Sequence, residues 1–161
     1  MASGIKETDN GWNNLKKSLL KLGNLEVVVG VPGRINFSVP TTAAIGAVHE
    51  FGSTDGTIPE RSFLRSTFDV NEAKYTKLLA KYSAAVVKTH KQDAAALFRV
   101  GETVRNDVVN RIRKGEIKQD LKPETIDGFI YGTQTRRGNN PALIASGNLV
   151  GSIVSEVRKV G

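Results

Sequence analysis

Hydrophobic positions early in the chain recur at helical spacing. Trp12, Leu15, Leu19 and Leu22 form a stripe that predicts a short amphipathic helix over residues 11–22, with Lys16, Lys17 and Lys21 off it. Asp9 or Asn10 stands where an N-cap is expected, and Gly23-Asn24 ends the element. The pattern then changes to a β-branched run from Leu25 to Val31, which predicts a strand. Pro32-Gly33 makes a turn, and the alternation over residues 34–40 fits an edge strand or an extended loop. Thr41-Thr42 caps a helix of small residues (Ala43, Ala44, Ile45, Ala47, Val48) that stops at Gly52. Two glycines and a proline among turn formers make residues 52–59 a loop.

The longest periodic segments follow. Tyr75, Leu78, Leu79, Tyr82, Ala85 and Val86 share one helical face, and Ala94, Leu97, Phe98, Gly101, Val104, Val108 and Ile112 share another. Residues 89–93 interrupt the stripe without a Gly or Pro, so two helices and one bent helix both fit. Gly115 is a stop after Arg111, Arg113 and Lys114, cations that suit a helix C-terminus. Residues 116–140, with Pro123, Gly128 and Gly132 around an apolar island at Ile126, Phe129, Ile130 and Tyr131, read as a long loop with at most a short strand. Residues 141–150 read as a short helix or turn. Residues 152–160 alternate as a terminal strand that could pair with the first. The expected fold is α+β: a small, mostly antiparallel β-sheet packed against two long α-helices, with long loops.

Composition sharpens this outline. A chain of 161 residues is expected to form a single domain over residues 1–161, an N-terminal helix at 1–23 preceding a core at 24–161 with loop insertions at 52–59 and 116–140. It has no cysteine, which excludes disulfides, thiol nucleophiles and Cys-ligated metals. It also lacks a long apolar run and a basic-then-apolar N-terminus, so it is expected to be soluble and unprocessed. The net charge of +7 suggests an acidic partner such as nucleic acid. Residues 61–120 hold 13 of the basic and 7 of the acidic groups. Of the cations on or just after the second long helix, Arg99, Arg111, Arg113 and Lys114 fan over a broad face from which Arg105 points away. No aromatic platform accompanies them, since Phe98 is expected in the core. Catalytic chemistry has little to work with. His49 and His90 stand in no metal-ligating pattern, and the chain has no Gly-x-Gly-x-x-Gly, Walker lysine or Gly-x-Ser-x-Gly. The expectation is a non-enzyme with no catalytic, metal or cofactor-binding residue.

One segment carries a resemblance. A small-residue helix ends in His49-Glu50-Phe51-Gly52, a loop follows, and Ile58-Pro59, Arg61, Phe63, Leu64 and Arg65 open a long helix. Near the C-terminus stand Pro141, Leu143, Ser146-Gly147, Leu149 and Ser152-Ile153. Together and in this order they resemble the signature of tailed-bacteriophage tail-completion and neck proteins, with Ser62 where that family often has a proline and Ser146 where it usually has a threonine. The resemblance implies a structural virion protein assembled in the host cytoplasm and sited at the head-tail junction. Its subunits would form a closed ring, a hexamer, around the DNA channel. Its partners would be head-connector or head-closure proteins and the tail terminator or tail tube, close to genomic DNA and without a membrane. A tail terminator or another neck component of similar fold is the alternative, and a small basic DNA-binding protein is the reading from another class.

Elementary physics gives the same residues local roles. Gly52 can end its helix at positive φ, Pro59 fixes φ ahead of the next, and Phe51 and Phe63 can anchor the junction. Glu50, Arg61 and Arg65 are charges beside apolar anchors, suited to pairing with one another or with a neighbouring subunit. The candidate assembly residues are therefore Glu50, Phe51, Gly52, Asp55, Arg61 and Arg65, with Pro59, Phe63, Leu64, Gly147 and Leu149 as the structural motif. The segments 52–59 and 116–140 are the expected docking loops, free to order on assembly.

Overall fold

The structure, a computed structural model, describes residues 11–33, 41–117, 129–130, 133–134 and 148–160. In chain order the elements are α1 (Trp12–Leu22), β1 (Leu25–Gly30), α2 (Thr42–Phe51), α3 (Arg65–Thr89), α4 (Ala94–Arg113), β2 (Phe129–Ile130), β3 (Thr133–Gln134), α5 (Asn148–Gly151) and β4 (Val154–Lys159). The fold is α+β: a small antiparallel sheet packs on one long helix, α4, and the other, α3, packs on α4 in turn. β1 and β4, far apart in sequence, pair with Leu25 opposite Lys159, Val27 opposite Val157 and Gly30 opposite Val154. The short antiparallel pair β2 and β3 falls within the 116–140 insertion. Residues 34–40, most of that insertion, and Gly147 lie outside the described residues.

Helix α4 lies across the β1–β4 sheet at close range because Gly101 has no side chain. A Cβ there would stand 2.4 Å from Cγ2 of Val27 and 3.0 Å from Cβ of Ser155. Glu102 accepts from the Ser155 hydroxyl one residue on, and Nε of Arg105 donates to the Ile153 carbonyl at 2.7 Å. Further along α4, Val108, Val109 and Ile112 bury themselves against Phe63, Ile117, Leu149, Val150 and Ile153, forming a core that joins the α2–α3 connection, α5 and the start of β4. Gly46 of α2 closes against the same region, since a Cβ on it would touch Leu149 and Val31.

Residues 90–93 separate two helices. His90 adopts φ 57°, the left-handed conformation that ends α3, and its amide donates to the Val86 carbonyl at 2.8 Å. Asp93 then caps α4 by accepting from the Ala96 amide at 2.9 Å. Three polar ties hold the helices together: Asp107 accepts from Lys74 at 2.6 Å and from the Tyr75 hydroxyl at 3.0 Å, and Arg111 donates to the Ser66 carbonyl at 2.6 Å. Arg111, expected on the broad basic face, and Arg105, expected to point away from it, are thus both structural braces.

Two expectations are corrected. Helix α1 begins after Gly11, at φ 92° and without a side-chain cap, while Asp9 and Asn10 lie outside the described residues. The helix docks on α3 through Ser18, fully buried with its hydroxyl 2.7 Å from Nδ1 of His90, so Leu15 and Leu22 turn partly inward while Trp12 and Leu19 stay exposed. Phe98 is also exposed. The buried line on α4 runs through Leu97, Val100, Gly101, Val104 and Val108, and one residue is a 100° rotation away from it.

The Gly101 contact yields a direct expectation. Gly101→Ala should lower the unfolding free energy by about 1–3 kcal/mol through overpacking against a stiff valine, although alanine is the better helix former by roughly 1 kcal/mol. Urea denaturation of the two proteins measures the difference.

Candidate functional site: the α2–α3 junction

The resemblance-bearing residues fold into one junction whose centre is Glu50. This carboxylate, 5% exposed at the end of α2, accepts four hydrogen bonds. Oε2 takes the amides of Phe63 and Leu64, both at 2.9 Å; Oε1 takes the Arg65 amide at 2.9 Å and the Ser62 hydroxyl at 2.7 Å. Helix α3 has no cap of its own at Leu64, and its first amides would otherwise be buried without acceptors. Glu50 supplies both the acceptors and a negative charge at the positive end of a helix of 25 residues.

The backbone closes the same unit. Gly52 ends α2 at φ 79°, and a Cβ there would press within 3.2 Å of the Glu60 amide nitrogen. The Arg61 amide donates to the His49 carbonyl at 2.7 Å, taking up an end of α2, and the Ser53 amide donates to Ile58 at 2.9 Å. Phe63 carries the junction into the core at 1% exposure, with Leu64 packed beside it, and Leu149 is buried in the same cluster. Pro59 lies half-buried in the connection.

The intervening loop has internal structure. One oxygen of Asp55 accepts from the Thr57 amide at 3.1 Å, the Thr57 hydroxyl at 2.8 Å and the Ser53 hydroxyl, and these bonds hold its carboxyl down at about 2. The Ile58 amide donates to the Ser53 hydroxyl at 2.8 Å, and Gly56 turns at φ 72°. The excursion is a compact turn displayed on the surface.

These facts redistribute the candidate assembly residues. Glu50 bonds backbone amides rather than the arginines, and both it and Arg61, 8% exposed, are folded inside the chain. Nη1 of Arg61 lies 3.4 Å from Nδ1 of His49. Burial, with the Arg61 charge second, pulls the imidazole below its ordinary titration range. Arg65 is exposed and pairs with Glu60. Phe51 is corrected most plainly. It stands 70% exposed instead of anchoring the junction, because Glu50, its neighbour on the helix, takes the inward direction. Phe51, Asp55 and Arg65 are therefore the candidates left facing outward. Ile58, Phe68 and Val70, on the loop and the first turns of α3, are exposed apolar side chains on the same elements.

Ser62 and Ser66 carry roles that sequence reading missed. The Ser62 hydroxyl donates to Glu50 and also lies 3.4 Å from the Ser66 amide, a bridge that a proline at that position could not make. Ser62 stands outside the N-cap position, which Leu64 holds, so no local signal marks it, and only the fold reveals that its acceptor is a carboxylate twelve residues earlier. Chemically the arrangement is a clamp, since each Glu50 oxygen already accepts two hydrogen bonds. Among the described residues no group of three or more His, Asp or Glu side chains is placed to hold a metal ion, and no helix is long and apolar enough to cross a membrane.

In comparisons with protein-family models, curated proteins and solved structures, nothing matches this chain.

Two outcomes are expected of the junction. Glu50→Ala strands three buried or half-buried amides and should cost about 3 kcal/mol, while Glu50→Gln, which turns an amide group toward donors, should cost roughly 2 kcal/mol; chemical denaturation checks both. The lowered His49 titration gives a pH dependence. Below about 6.5 the unfolded chain takes up a proton that the folded one resists, so stability should fall as pH drops from 7 to 5. His49→Gln should flatten that part of the profile, measured as melting temperature against pH.

Proposed function

We propose that this chain is a structural subunit of a tailed-bacteriophage particle, a tail-completion or neck protein that joins the head connector to the tail around the DNA channel. The observation that carries the reading is the clamp: the residues on which the resemblance rests converge in space, as His49, Glu50 and Gly52 meet Arg61, Phe63, Leu64 and Arg65 in one hydrogen-bonded unit. Such a unit gives a subunit a rigid corner from which to display contact residues. Phe51 and Val70, 70% and 71% exposed, are large apolar side chains suited to burial against a neighbouring copy. The exposed Asp55 turn and Arg65 supply polar contacts that orient such an interface. The mechanism is assembly: copies close into a ring, a hexamer, and its two faces meet the head connector and the tail.

Light scattering on the purified chain should show a closed oligomer, and Phe51→Asp or Val70→Asp should give a folded monomer with unchanged circular dichroism. Imaging of purified particles should locate the chain at the head-tail junction. Absence of the chain from particles would defeat the proposal.

A further inference from the structure

Five element ends converge at the end of the molecule opposite the clamp. The C-terminal half of α1 is tied to the α3–α4 turn by Ser18 on His90 and by the Gln92 side chain on the Lys21 carbonyl. The Val160 amide donates to the Asn24 carbonyl at 3.1 Å, which brings the end of β4 beside the start of β1. The register of α4 on the sheet, Gly101 against Val27 and Arg105 against Ile153, puts the start of α4 at that same end. Among the described residues, Lys17, Lys21, Lys88, Lys91, Arg99, Arg158 and Lys159 are therefore gathered there with Glu26 and Asp93, seven cations against two carboxylates. Glu26 binds Arg158, and Asp93 lies 3.8 Å from Arg99. The five lysines pair with no carboxylate among the described residues, and all are exposed. Among the described residues the clamp end carries six cations, Arg61, Arg65, Lys74, Arg111, Arg113 and Lys114, against seven carboxylates. The charge of the described structure is concentrated at one pole.

We propose that this lysine pole binds the phosphodiester backbone of duplex DNA without reading its sequence. An isolated cluster of like charges costs folding free energy through self-repulsion unless a partner neutralises it. The type of cation selects the partner. Carboxylate recognition favours the arginine fork, and both arginines at the pole already face carboxylates of their own chain. The unengaged groups are ammonium point charges spread over α1, the end of α3, the α3–α4 turn and β4, so that a continuous line of phosphates can meet several at once. The aromatic side chains near these cations among the described residues are Phe98, exposed beside Arg99, and half-buried Tyr82, which lines a cavity with Lys91 and Arg99. Two rings on different helices give no continuous platform for successive bases, which favours duplex over single strand. This deepens the reading of the chain as a joining subunit and rests on it for the source of the DNA.

The test is fluorescence anisotropy with the full chain and a random-sequence duplex of about thirty base pairs between 50 and 200 mM salt. With about 0.9 of slope per phosphate, five lysines give a log-log salt slope of about −4.5, so affinity should fall several-hundred-fold across that range. Lys17→Gln/Lys91→Gln/Lys159→Gln should flatten the slope by about 2.7, whereas Lys77→Gln/Arg113→Gln/Lys114→Gln, the same loss of charge elsewhere, should change it by less than about 0.5. Acetylation footprinting of the wild-type chain needs no variant: bound duplex should protect the pole lysines at least threefold more than Lys77 and Lys114. Absence of binding at 50 mM salt, equal effects of the two triple variants, or uniform protection would overturn the proposal. Displacement of the duplex by polyglutamate at equal charge would reassign the pole to an acidic protein. The assay uses the isolated chain, so its failure leaves the location in particles, and hence the joining reading, to be judged separately.

Discussion

A buried carboxylate needs hydrogen-bond donors, and the first turn of a buried helix needs acceptors; Glu50 meets both demands with one side chain. Much of the arrangement depends on that coincidence. If Glu50 were absent, the start of α3 would have to turn toward water, and Phe63 would leave the cluster that it shares with Ile112 and Ile153. The position of α3 in turn sets where Tyr75 and Lys74 meet Asp107 and where Arg111 reaches Ser66. A single local satisfaction of polar groups thereby propagates along α3 to its far end, where His90 receives Ser18 of α1.

The chain uses close approach and polar ties in place of a large aromatic core. Only 6% of its residues are aromatic, and the most deeply buried side chains are mainly Val, Ile and Phe63. Gly101 lets α4 approach Val27 and Ser155, whose side chains already fill the space a Cβ would take, and Gly46 brings α2 to contact distance of Leu149 and Val31. Arg105 reaches the Ile153 carbonyl just ahead of β4, and Arg111 reaches the Ser66 carbonyl in the first turn of α3. Such bonds to charged donors are stronger than neutral ones and directional, so they fix the angles between elements that a small core leaves loosely determined.

Periodicity made the elements legible. The stripe ending at Ile112, the β-branched run after Asn24 and the alternation after Ser152 each became the predicted helix or strand, and the pairing of the two strands followed. What failed was orientation. On α1 the apolar stripe through Trp12 and Leu19 pointed inward by pattern, but the contact with α3 is won by a serine that hydrogen-bonds a histidine 72 positions away. A pattern records which residues share a face and is silent on a partner so distant in sequence. The junction shows the same division. Gly52, Pro59 and Phe63 were readable because turns and anchors are local, whereas Glu50, read as a charge for another charge, binds amides that become available only once α3 has formed. Sequence spacing ranks side-chain partners and gives backbone donors no weight.

The same reasoning revises what the net charge means. A surplus of +7 spread evenly would be a general property of the surface and a weak argument for any partner. Folding redistributes it. At the clamp, carboxylates are consumed by helix amides and loop donors while arginines brace carbonyls, so charge there is spent on shape. At the opposite pole the lysines pair with no carboxylate among the described residues and are held together because α1 and the sheet end are tied to the α3–α4 turn. The polar contacts that fix the fold therefore also create the charge asymmetry. Loss of the Ser18 tie would loosen α1 and scatter the pole without removing a single positive charge, and so separates an effect of charge number from one of charge placement.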